Sequence, residues 1–320
     1  MPASPAVPVT NKRLPDFFVV GHPKSGTSAL YQMLREYPRI HMPRKEPSYF
    51  VPEFRSARST RYSRGIDEYL SLFDGARPEQ LIGEATTSYL FSEMAAERIA
   101  QVQPDARIIA ILREPASFLR SLHLQFIRSN VETEQELRTA IELEQPRREG
   151  KRLPRNSTRP QALIYSDHVR YVEQLKRYHA AFAREQVLVL IYEDFRADNE
   201  RTLRQVLRFL ELDDAAPGEL VEANHATGVR SARVHEIVRS LYLGRSPATR
   251  PVKAAIKALT PRRLRHEALA TVNRAQRSSP PPADAELMLE LRRRFKREVE
   301  SLSDYLDRDL VAFWGYDDLD

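Results

Sequence analysis

A lysine, a glycine and three hydroxyl residues follow a short apolar run near the start of the chain. Residues 17–28 read Phe-Phe-Val-Val-Gly-His-Pro-Lys-Ser-Gly-Thr-Ser, and the apolar run predicts a buried strand. Apolar residues then recur at helical spacing through Leu34, which predicts a helix. A positive charge and backbone N–H groups at a helix N-terminus favour an anion. The junction therefore predicts a phosphate-binding loop, whose candidate residues are Lys24, Ser25, Gly26, Thr27 and Ser28.

The order of residues in this loop differs from that of nucleotide triphosphatase loops. In those loops the lysine follows the second glycine and precedes Ser or Thr, whereas Lys24 precedes Gly26. No Gly-Lys-Ser unit is present to place a hydroxyl on Mg²⁺. We therefore expect a phosphate whose transfer chemistry needs no metal. The chain also has no His-x-x-x-His spacing or carboxylate cluster in its sequence that suggests a metal site.

Composition limits the class of protein. The 320 residues are 42% hydrophobic, which is enough for a sizeable core, and no apolar run approaches the roughly 18 residues that span a bilayer. The absence of cysteine excludes disulfides, thiolate metal sites and a cysteine nucleophile. Residues 1–14 lack the apolar stretch of a secretory signal. We expect a flexible N-terminus over 1–14, a single domain over 15–320 and a cytoplasmic location.

Further apolar runs alternate with helical patterns. They occupy residues 81–84, 106–112 and 187–191. Near-continuous apolar strands alternating with helices predict an α/β fold, with a P-loop-like central parallel sheet flanked by helices. An extra helical C-terminal segment is predicted at 287–306. Because such sheets bind ligands at the carboxyl ends of their strands, the polar residues just past those ends are candidates for the site.

Two segments interrupt this pattern. Residues 131–162 are polar and contain three prolines, which predicts a lid or mobile loop. Residues 246–283 form a basic, Pro-containing insertion, and 246–300 hold 13 Lys and Arg against 6 Asp and Glu. This charge predicts either contact with an anionic or membrane-surface partner or a solvated helix face. Nucleic acid is not the expected partner.

Two signatures resemble those of sulfotransferases that use 3′-phosphoadenosine 5′-phosphosulfate (PAPS). Pro-Lys-Ser-Gly-Thr at 23–27 is similar to the family's 5′-phosphosulfate loop, and Arg113-Glu-Pro with Ser121 is similar to its 3′-phosphate signature. The spacing of eight places a guanidinium at a loop and a hydroxyl about two turns along the next helix. The resemblance implies PAPS as donor, with no metal, and 3′-phosphoadenosine 5′-phosphate (PAP) as product. Arg230 resembles part of a late basic loop over the nucleotide.

The resemblance also implies a catalytic mechanism. Residues 44–50 resemble the Lys-Glu-x-x-Phe-Phe segment of heparan-type and bacterial sulfotransferases, in which the glutamate is the base. Glu46 would then remove a proton from an acceptor hydroxyl or amine. Lys24 would stabilise charge on the oxygen that bridges phosphate and sulfate. Glycan enzymes often have a lysine where this chain has Ala85, so the acceptor stays open between glycan, lipid and small molecule.

Several alternatives remain open from the sequence. His22 and His123 are rival bases, and each is otherwise expected to pack in a loop or at the surface. Tyr165 and Tyr171 would either stack on adenine or belong to the core. A P-loop kinase would use Asp194, which follows the strand predicted at 187–191, to hold magnesium. A basic anion-binding interaction protein with an inactive nucleotide core is the remaining alternative.

Overall fold

The computed structural model describes residues 12–54, 65–154, 157, 159–212 and 282–319, and the backbone of 228–229 and 277–278. The strands are β1 (Phe17–Val19), β2 (Ile40–His41), β3 (Leu81–Ala85), β4 (Arg107–Leu112), β5 (Val187–Ile191), β6 (Gly228–Val229) and β7 (Arg277–Ser278). The helices are α1 (Thr27–Glu36), α2 (Ile66–Leu70), α3 (Ser88–Phe91), α4 (Ala95–Val102), α5 (Pro115–Ser129), α6 (Leu137–Glu142), α7 (Glu144–Arg148), α8 (Tyr171–Ala181), α9 (Tyr192–Ala197), α10 (Asn199–Phe209), α11 (Ala285–Leu306) and α12 (Leu310–Phe313). Short 3₁₀ helices lie at Pro52–Phe54, Ser71–Phe73, Pro160–Leu163, Tyr165–Val169 and Arg184–Gln186.

Five strands form a parallel sheet in the order β2-β3-β1-β4-β5. The central strand β1 pairs Phe17 with Gly83 of β3 on one side and with Arg107 of β4 on the other. All three of its side chains are buried, as expected for a strand covered on both faces. The predicted parallel α/β sheet is confirmed. Strand β2 was not predicted, because two residues give no periodic pattern.

Helices α1 and α10 cover one face of the sheet. Leu30 and Leu34 of α1 and Leu203 and Leu207 of α10 belong to one buried cluster with Ile109 of β4. Helix α10 starts where the side chain of Asp198 accepts a hydrogen bond from the backbone N–H of Arg201, which satisfies one of its first amide groups. Apolar burial thus holds the helix that follows the phosphate-binding loop against the sheet.

Aromatic side chains fill the opposite face. The ring of Phe18 meets that of Phe50 edge-on at 5.8 Å, and Phe50 meets Tyr69 and Tyr89 in the same manner. Edge-to-face rings at this spacing contribute about 0.5–1.5 kcal/mol beyond their buried area. The segment around Phe50 is therefore held onto the sheet by its own aromatic side chain.

The chain divides into two compact units. The first comprises the described residues up to 119, 164–212 and 286–319, and the second comprises 120–163, the β6–β7 pair and the residues before 286. Strands β6 and β7 pair antiparallel. The predicted single domain over 15–320 stays a prediction. Residues 1–11, the N-terminal part of the predicted flexible end, and most of 246–283 lie outside the described residues.

The polar segment 131–162 contains regular structure within the second unit. It forms α6 and α7, and the Arg147 guanidinium donates two hydrogen bonds, of 2.7 and 2.8 Å, to the carboxylate of Glu132. Both side chains are almost completely buried. Because these two charged side chains form a buried bidentate ion pair, this part of the segment is not a solvated loop despite its many charged residues. That the segment moves as a lid stays a prediction.

The extra helical segment near the C-terminus is confirmed as α11, which buries Leu287, Leu291 and Phe295 along one face. It is followed by the short helix α12. Among the described residues, no helix is both long and apolar enough to cross a membrane.

Gly21 has no room for a side chain, because a Cβ there would lie 2.4 Å from Cγ2 and 2.5 Å from the backbone N of Ile111. We predict that Gly21→Ala lowers the free energy of unfolding by about 3 kcal/mol, since the extra methyl group would push β4 away from the end of β1. The control is Gly75→Ala, whose Cβ would find its nearest atom at 3.4 Å. Urea unfolding followed by circular dichroism measures both. Equal stability of the two variants would contradict this account of the strand contact.

Candidate active site

The loop between β1 and α1 has the backbone geometry of an anion cradle. Lys24 and Gly26 both adopt left-handed conformations, with φ of 67° and 84°. A Cβ on Gly26 would lie 2.8 Å from Cδ1 of Phe195, so glycine is required there by both conformation and space. No side chain caps α1 and its first turn holds no acidic residue. Its N-terminal amide groups are therefore available to a negatively charged group.

The hydroxyl groups of the loop fit a phosphate ligand. Ser25 is fully buried, and among the described residues its Oγ has no hydrogen-bond partner. Such an atom carries a desolvation cost that a ligand oxygen would offset. Thr27 is also buried, whereas Ser28 is exposed. The oxygens Thr27 Oγ1 and Ser28 Oγ each accept a hydrogen bond of 3.0 Å from the Lys45 ammonium.

Lys45 is a member of the site that sequence reasoning did not single out. Its side chain is 18% exposed, and Nζ lies 3.6 Å from Oε1 of Glu46. Burial lowers the pKa of this lysine, while the neighbouring Glu46 carboxylate opposes that shift. The available signal was its position directly before Glu46 in the segment 44–50. One cation thus connects the phosphate-binding loop with the predicted base.

Glu46 is held where β3 ends. Its backbone, at φ 66°, donates a hydrogen bond of 2.8 Å to the carbonyl of Ala85. Its carboxylate accepts hydrogen bonds from the backbone N–H of Thr87 at 3.2 Å and from the Thr87 hydroxyl at 3.1 Å. The side chain is 32% exposed. The carboxylate is therefore oriented by fixed donors and still reaches solvent.

A second carboxylate, that of Glu84, interacts with Glu46 electrostatically and is buried. Its Oε2 accepts hydrogen bonds from Tyr69 at 2.6 Å and Tyr89 at 3.2 Å, and its Oε1 accepts one from Thr86 at 2.6 Å. Burial raises the pKa of Glu84 to about 7, and its three hydroxyl donors act in the opposite direction.

The hydroxyls around Glu84 also hold the segment that carries Glu46. The Thr86 hydroxyl accepts a hydrogen bond from the N–H of Ser48 at 3.2 Å. The Tyr89 hydroxyl accepts hydrogen bonds from the N–H groups of Tyr49 and Phe50, at 2.9 and 3.3 Å. This network was not predicted, because sequence spacing does not show which hydroxyls face a common carboxylate.

Arg113 follows β4, as predicted, and touches the phosphate-binding loop. Its Nη1 donates a hydrogen bond of 3.0 Å to the carbonyl of Lys24, and its guanidinium lies 4.7 Å from the ring centre of Tyr192. The Nε atom is buried and has no hydrogen-bond partner among the described residues. Guanidinium donors beside a helix N-terminus suit a second anionic group.

Ser121 lies on α5, eight residues after Arg113, and is buried. It belongs to the second compact unit. Arg230 lies outside the described residues. The nucleotide-binding roles of both residues stay predictions.

Comparison with known proteins identifies the family of this fold. The sulfotransferase domain family matches residues 14–243. The chain belongs to the sulfotransferase family. Enzymes of this family use PAPS as the sulfuryl donor.

Relatives of this sulfotransferase include glycan enzymes. The chain is 26% identical over 274 residues to mouse carbohydrate sulfotransferase 15, covering 68% of this chain and 46% of the mouse protein. It is 31% identical over 120 residues to human heparan sulfate glucosamine 3-O-sulfotransferase 6, covering 36% of this chain and 33% of that protein. The crystal structure of a sulfotransferase from Alicyclobacillus acidocaldarius aligns with a TM-score of 0.66 at 26% identity, covering 94% of this chain and 98% of that one. The chain thus spans about half the length, or less, of these two curated relatives.

The histidines considered as rival bases in this sulfotransferase are both buried. His22 is fully buried, and its Nε2 donates to the side-chain oxygen of Gln174 at 2.7 Å. Burial, with the nearby His168, lowers the pKa of His22 to about 3, so the ring is neutral. His123 is buried in the second unit, and its Nε2 lies 3.0 Å from the carbonyl of Gln135. Of the two expectations for His22, packing within the loop is the one that the structure supports, because the residue lies between β1 and α1 and is fully buried.

The structure also shows the contacts of the aromatic and acidic alternatives. Tyr165 and Tyr171 are fully buried, which supports the core interpretation over stacking on adenine. Both carboxylate oxygens of Asp194 accept hydrogen bonds from Arg308, at 2.5 and 2.9 Å. No group of three or more possible metal-ligating side chains occurs among the described residues. The absence of a metal requirement stays a prediction.

We predict a pH effect from Glu84. Because its pKa is higher in the folded protein than its ordinary value of 4.5, the folded state binds the proton more tightly. The free energy of unfolding of the wild type should therefore fall as the pH rises from about 4.5 to about 7. Measured against Glu84→Gln, which has no carboxyl group at this position, the fall should be about 3 kcal/mol. Chemical unfolding at a series of pH values measures the difference.

The control for this measurement is Glu79→Gln, an exposed glutamate whose side chain is 62% accessible. Its stability should follow the pH dependence of the wild type. If the Glu84→Gln and wild-type curves run parallel through this range, the buried carboxylate does not titrate as described.

Proposed function

We propose that this chain transfers a sulfuryl group from PAPS to a hydroxyl or amine of an acceptor, with Glu46 as the base. The observation that carries the proposal is the position of the Lys45 ammonium. It lies 3.0 Å from the hydroxyls of Thr27 and Ser28 at the start of α1 and 3.6 Å from the carboxylate of Glu46. The predicted base and the predicted phosphate-binding loop therefore share one small site.

PAPS would be bound through its two anionic groups, the 5′-phosphosulfate and the 3′-phosphate. The N-terminus of α1, the buried Ser25 hydroxyl and the hydroxyls of Thr27 and Ser28 would hold the 5′-phosphosulfate. Arg113, with its unpartnered Nε, would bind the 3′-phosphate, which distinguishes PAPS from ATP. When bound, PAPS supplies a sulfuryl group attached to a phosphate leaving group. Ser121 and Arg230 are the further residues proposed at the nucleotide.

The transfer would consist of one displacement. Glu46 accepts the proton of the acceptor as its oxygen or nitrogen forms a bond to sulfur and the bond from sulfur to the bridging phosphate oxygen breaks. Lys24 stabilises the negative charge that develops on that bridging oxygen. The partly exposed Glu46 then releases its proton to water. Positioning and charge stabilisation would supply most of the rate, as in phosphoryl transfer.

A glycan is the acceptor that we propose. The names of two relatives, a carbohydrate sulfotransferase and a heparan sulfate glucosamine sulfotransferase, support this class. Ala85 departs from the lysine typical of glycan enzymes, so the site would contact its sugar through other residues. Lipid and small-molecule acceptors are the alternatives that an acceptor screen would separate. Contact of the basic segment 246–300 with an anionic or membrane surface, and the cytoplasmic location, stay predictions.

Nucleotide binding is the first test. We predict that PAP stabilises the protein against thermal unfolding, while ADP and magnesium-ATP at the same concentration do not. Occupancy at about a hundred times Kd adds roughly 2.7 kcal/mol, which is readily measured as a rise in Tm. A shift with magnesium-ATP alone would support a kinase, and no shift with any nucleotide would support the interaction protein.

The role of Arg113 is tested by comparing nucleotides with and without a 3′-phosphate. Arg113→Met should weaken PAP binding about 10- to 100-fold and leave binding of AMP, which has no 3′-phosphate, within about threefold of the wild type. Isothermal titration calorimetry measures both ligands. Equal weakening of PAP and AMP would show that Arg113 supports the loop and does not read the 3′-phosphate.

The base is tested by Glu46→Gln. We predict that kcat for sulfation of an accepted glycan falls by about 10²–10⁴-fold, as general-base losses do, while Kd for PAP changes little. The measurement uses radiolabelled PAPS with a panel of glycans. Thr87→Val is the companion variant, because it removes one hydrogen bond that orients Glu46 and should cause a smaller loss. Full kcat in Glu46→Gln would contradict the assignment.

A further inference from the structure

We infer that Lys45 is a second donor-binding cation of this site, whose ammonium binds the 5′-phosphosulfate between the start of α1 and Glu46. The inference rests on the proposed function and names a residue that the nucleotide signatures do not include. It is carried by the contacts of one side chain with both parts of the site. The segment 42–50 brings this lysine across to the loop, although 17 residues separate it from Ser28.

The hydrogen bonds of Lys45 place its ammonium beside two hydroxyl groups at the start of α1, with Glu46 on its other side. An ammonium carries three N–H donors, and two are directed at Thr27 Oγ1 and Ser28 Oγ, each at 3.0 Å. Both acceptors are neutral hydroxyls, each of which keeps its own O–H for another acceptor. An anion at the N-terminus of α1 would therefore meet the hydroxyls and the ammonium together.

The charges of the site favour such an anion. Lys45 is largely buried, and burial lowers its pKa, which expresses the cost of keeping the charged form there. The charged partner found within reach is Glu46, at 3.6 Å. A bound phosphosulfate would add negative charge on the other side of the ammonium and offset more of this cost.

The same position resolves a conflict in the proposed site. Glu46 must stay ionised to act as a base, and the donor that it faces is itself an anion. Two like charges brought into one partly buried site repel each other, and the repulsion grows as water is excluded. A cation between them reduces this repulsion. Lys45 would thus allow the base and the donor to occupy the site together, whereas Lys24 would act on the leaving group.

The experiment measures PAP binding by isothermal titration calorimetry, so that it needs no acceptor. Lys45→Met keeps a long apolar side chain but removes the charge, and we expect Kd for PAP to rise about 10- to 100-fold, as for loss of hydrogen bonds to a charged group. The matched control is Arg44→Met, which removes one positive charge from the adjacent, exposed residue. At 150 mM salt, where exposed charges are screened, its Kd should stay within about threefold of the wild type.

A double variant adds a second readout. In Lys45→Met, the Glu46 carboxylate faces the nucleotide without its cation, so adding Glu46→Gln should recover part of the lost PAP affinity. In a wild-type background, Glu46→Gln should change Kd little. This non-additivity is the signature of a cation placed between two anions. If the single variant Lys45→Met fails to fold, the double variant, which buries no unpaired charge, is compared directly with Glu46→Gln. It should bind PAP more weakly than Glu46→Gln, and equal binding would overturn the role of Lys45.

The outcomes are distinct. A wild-type protein that does not bind PAP would overturn the proposed function. A wild type that binds, with Lys45→Met binding equally well, would overturn the role of Lys45 alone. Equal weakening by Arg44→Met and Lys45→Met would also overturn it, because the effect would then come from net charge and not from the position of the ammonium.

Discussion

The buried carboxylate of Glu84 accepts hydrogen bonds from three hydroxyl groups, and two of these hydroxyls hold backbone N–H groups of the segment that carries Glu46. A buried polar group of this kind is tolerated only when its hydrogen-bonding capacity is used. When three hydroxyl groups donate to one carboxylate, the position of each hydroxyl is restricted by the other two. Because Glu84 lies on strand β3, these hydrogen bonds fix the loop 46–50 to the sheet. The predicted base is therefore held by a rigid element.

Backbone strain marks the same region. Lys24, Glu46 and Ser48 all have positive φ, a conformation that costs non-glycine residues free energy and persists only where surrounding contacts enforce it. Those contacts are present. The carbonyl of Lys24 accepts a hydrogen bond from Arg113, and the N–H of Glu46 donates to Ala85 at the end of β3. The two residues expected to perform the chemistry are thus among the non-glycine residues whose backbone the fold holds in an unfavourable conformation.

Much of this arrangement could be read from the sequence. The strands predicted at 81–84, 106–112 and 187–191, and the loop before α1, are found within a residue of their predicted bounds, because continuous apolar runs ending at polar residues are a strong local signal. Signals that depend on distant partners were not readable. Arg147 belongs to a charged run whose sequence resembles a solvated loop, yet its partner Glu132 makes it a buried residue.

The same limit applied within the site. Lys45 was not singled out from the sequence, and its contacts with Thr27 and Ser28, 18 and 17 residues earlier, place it in the site. His22 lies in a loop, as expected, but its burial against the stacked ring of Phe118 and its hydrogen bond to Gln174 could not be read from the sequence. Local periodicity therefore predicted the elements and the loop. It did not predict which polar side chains meet across them.

The C-terminal segment contributes hydrogen bonds to the carboxylates that lie beside Arg113. Two glutamates, Glu114 and Glu193, lie near it, and either carboxylate could neutralise its guanidinium. Glu114 instead accepts the N–H groups of Ala116 and Ser117 at the start of α5 together with the Tyr316 hydroxyl, and Glu193 accepts the indole N–H of Trp314 and the N–H of Glu114. These donors hold both carboxylates in place, and among the described residues neither carboxylate forms a hydrogen-bonded ion pair with Arg113. The charge of Arg113 nevertheless acts on Glu193, where it opposes the rise in pKa that burial causes. Residues near the C-terminus, far from the phosphate-binding loop in sequence, thus fix the two carboxylates beside Arg113, the residue that we propose binds the 3′-phosphate.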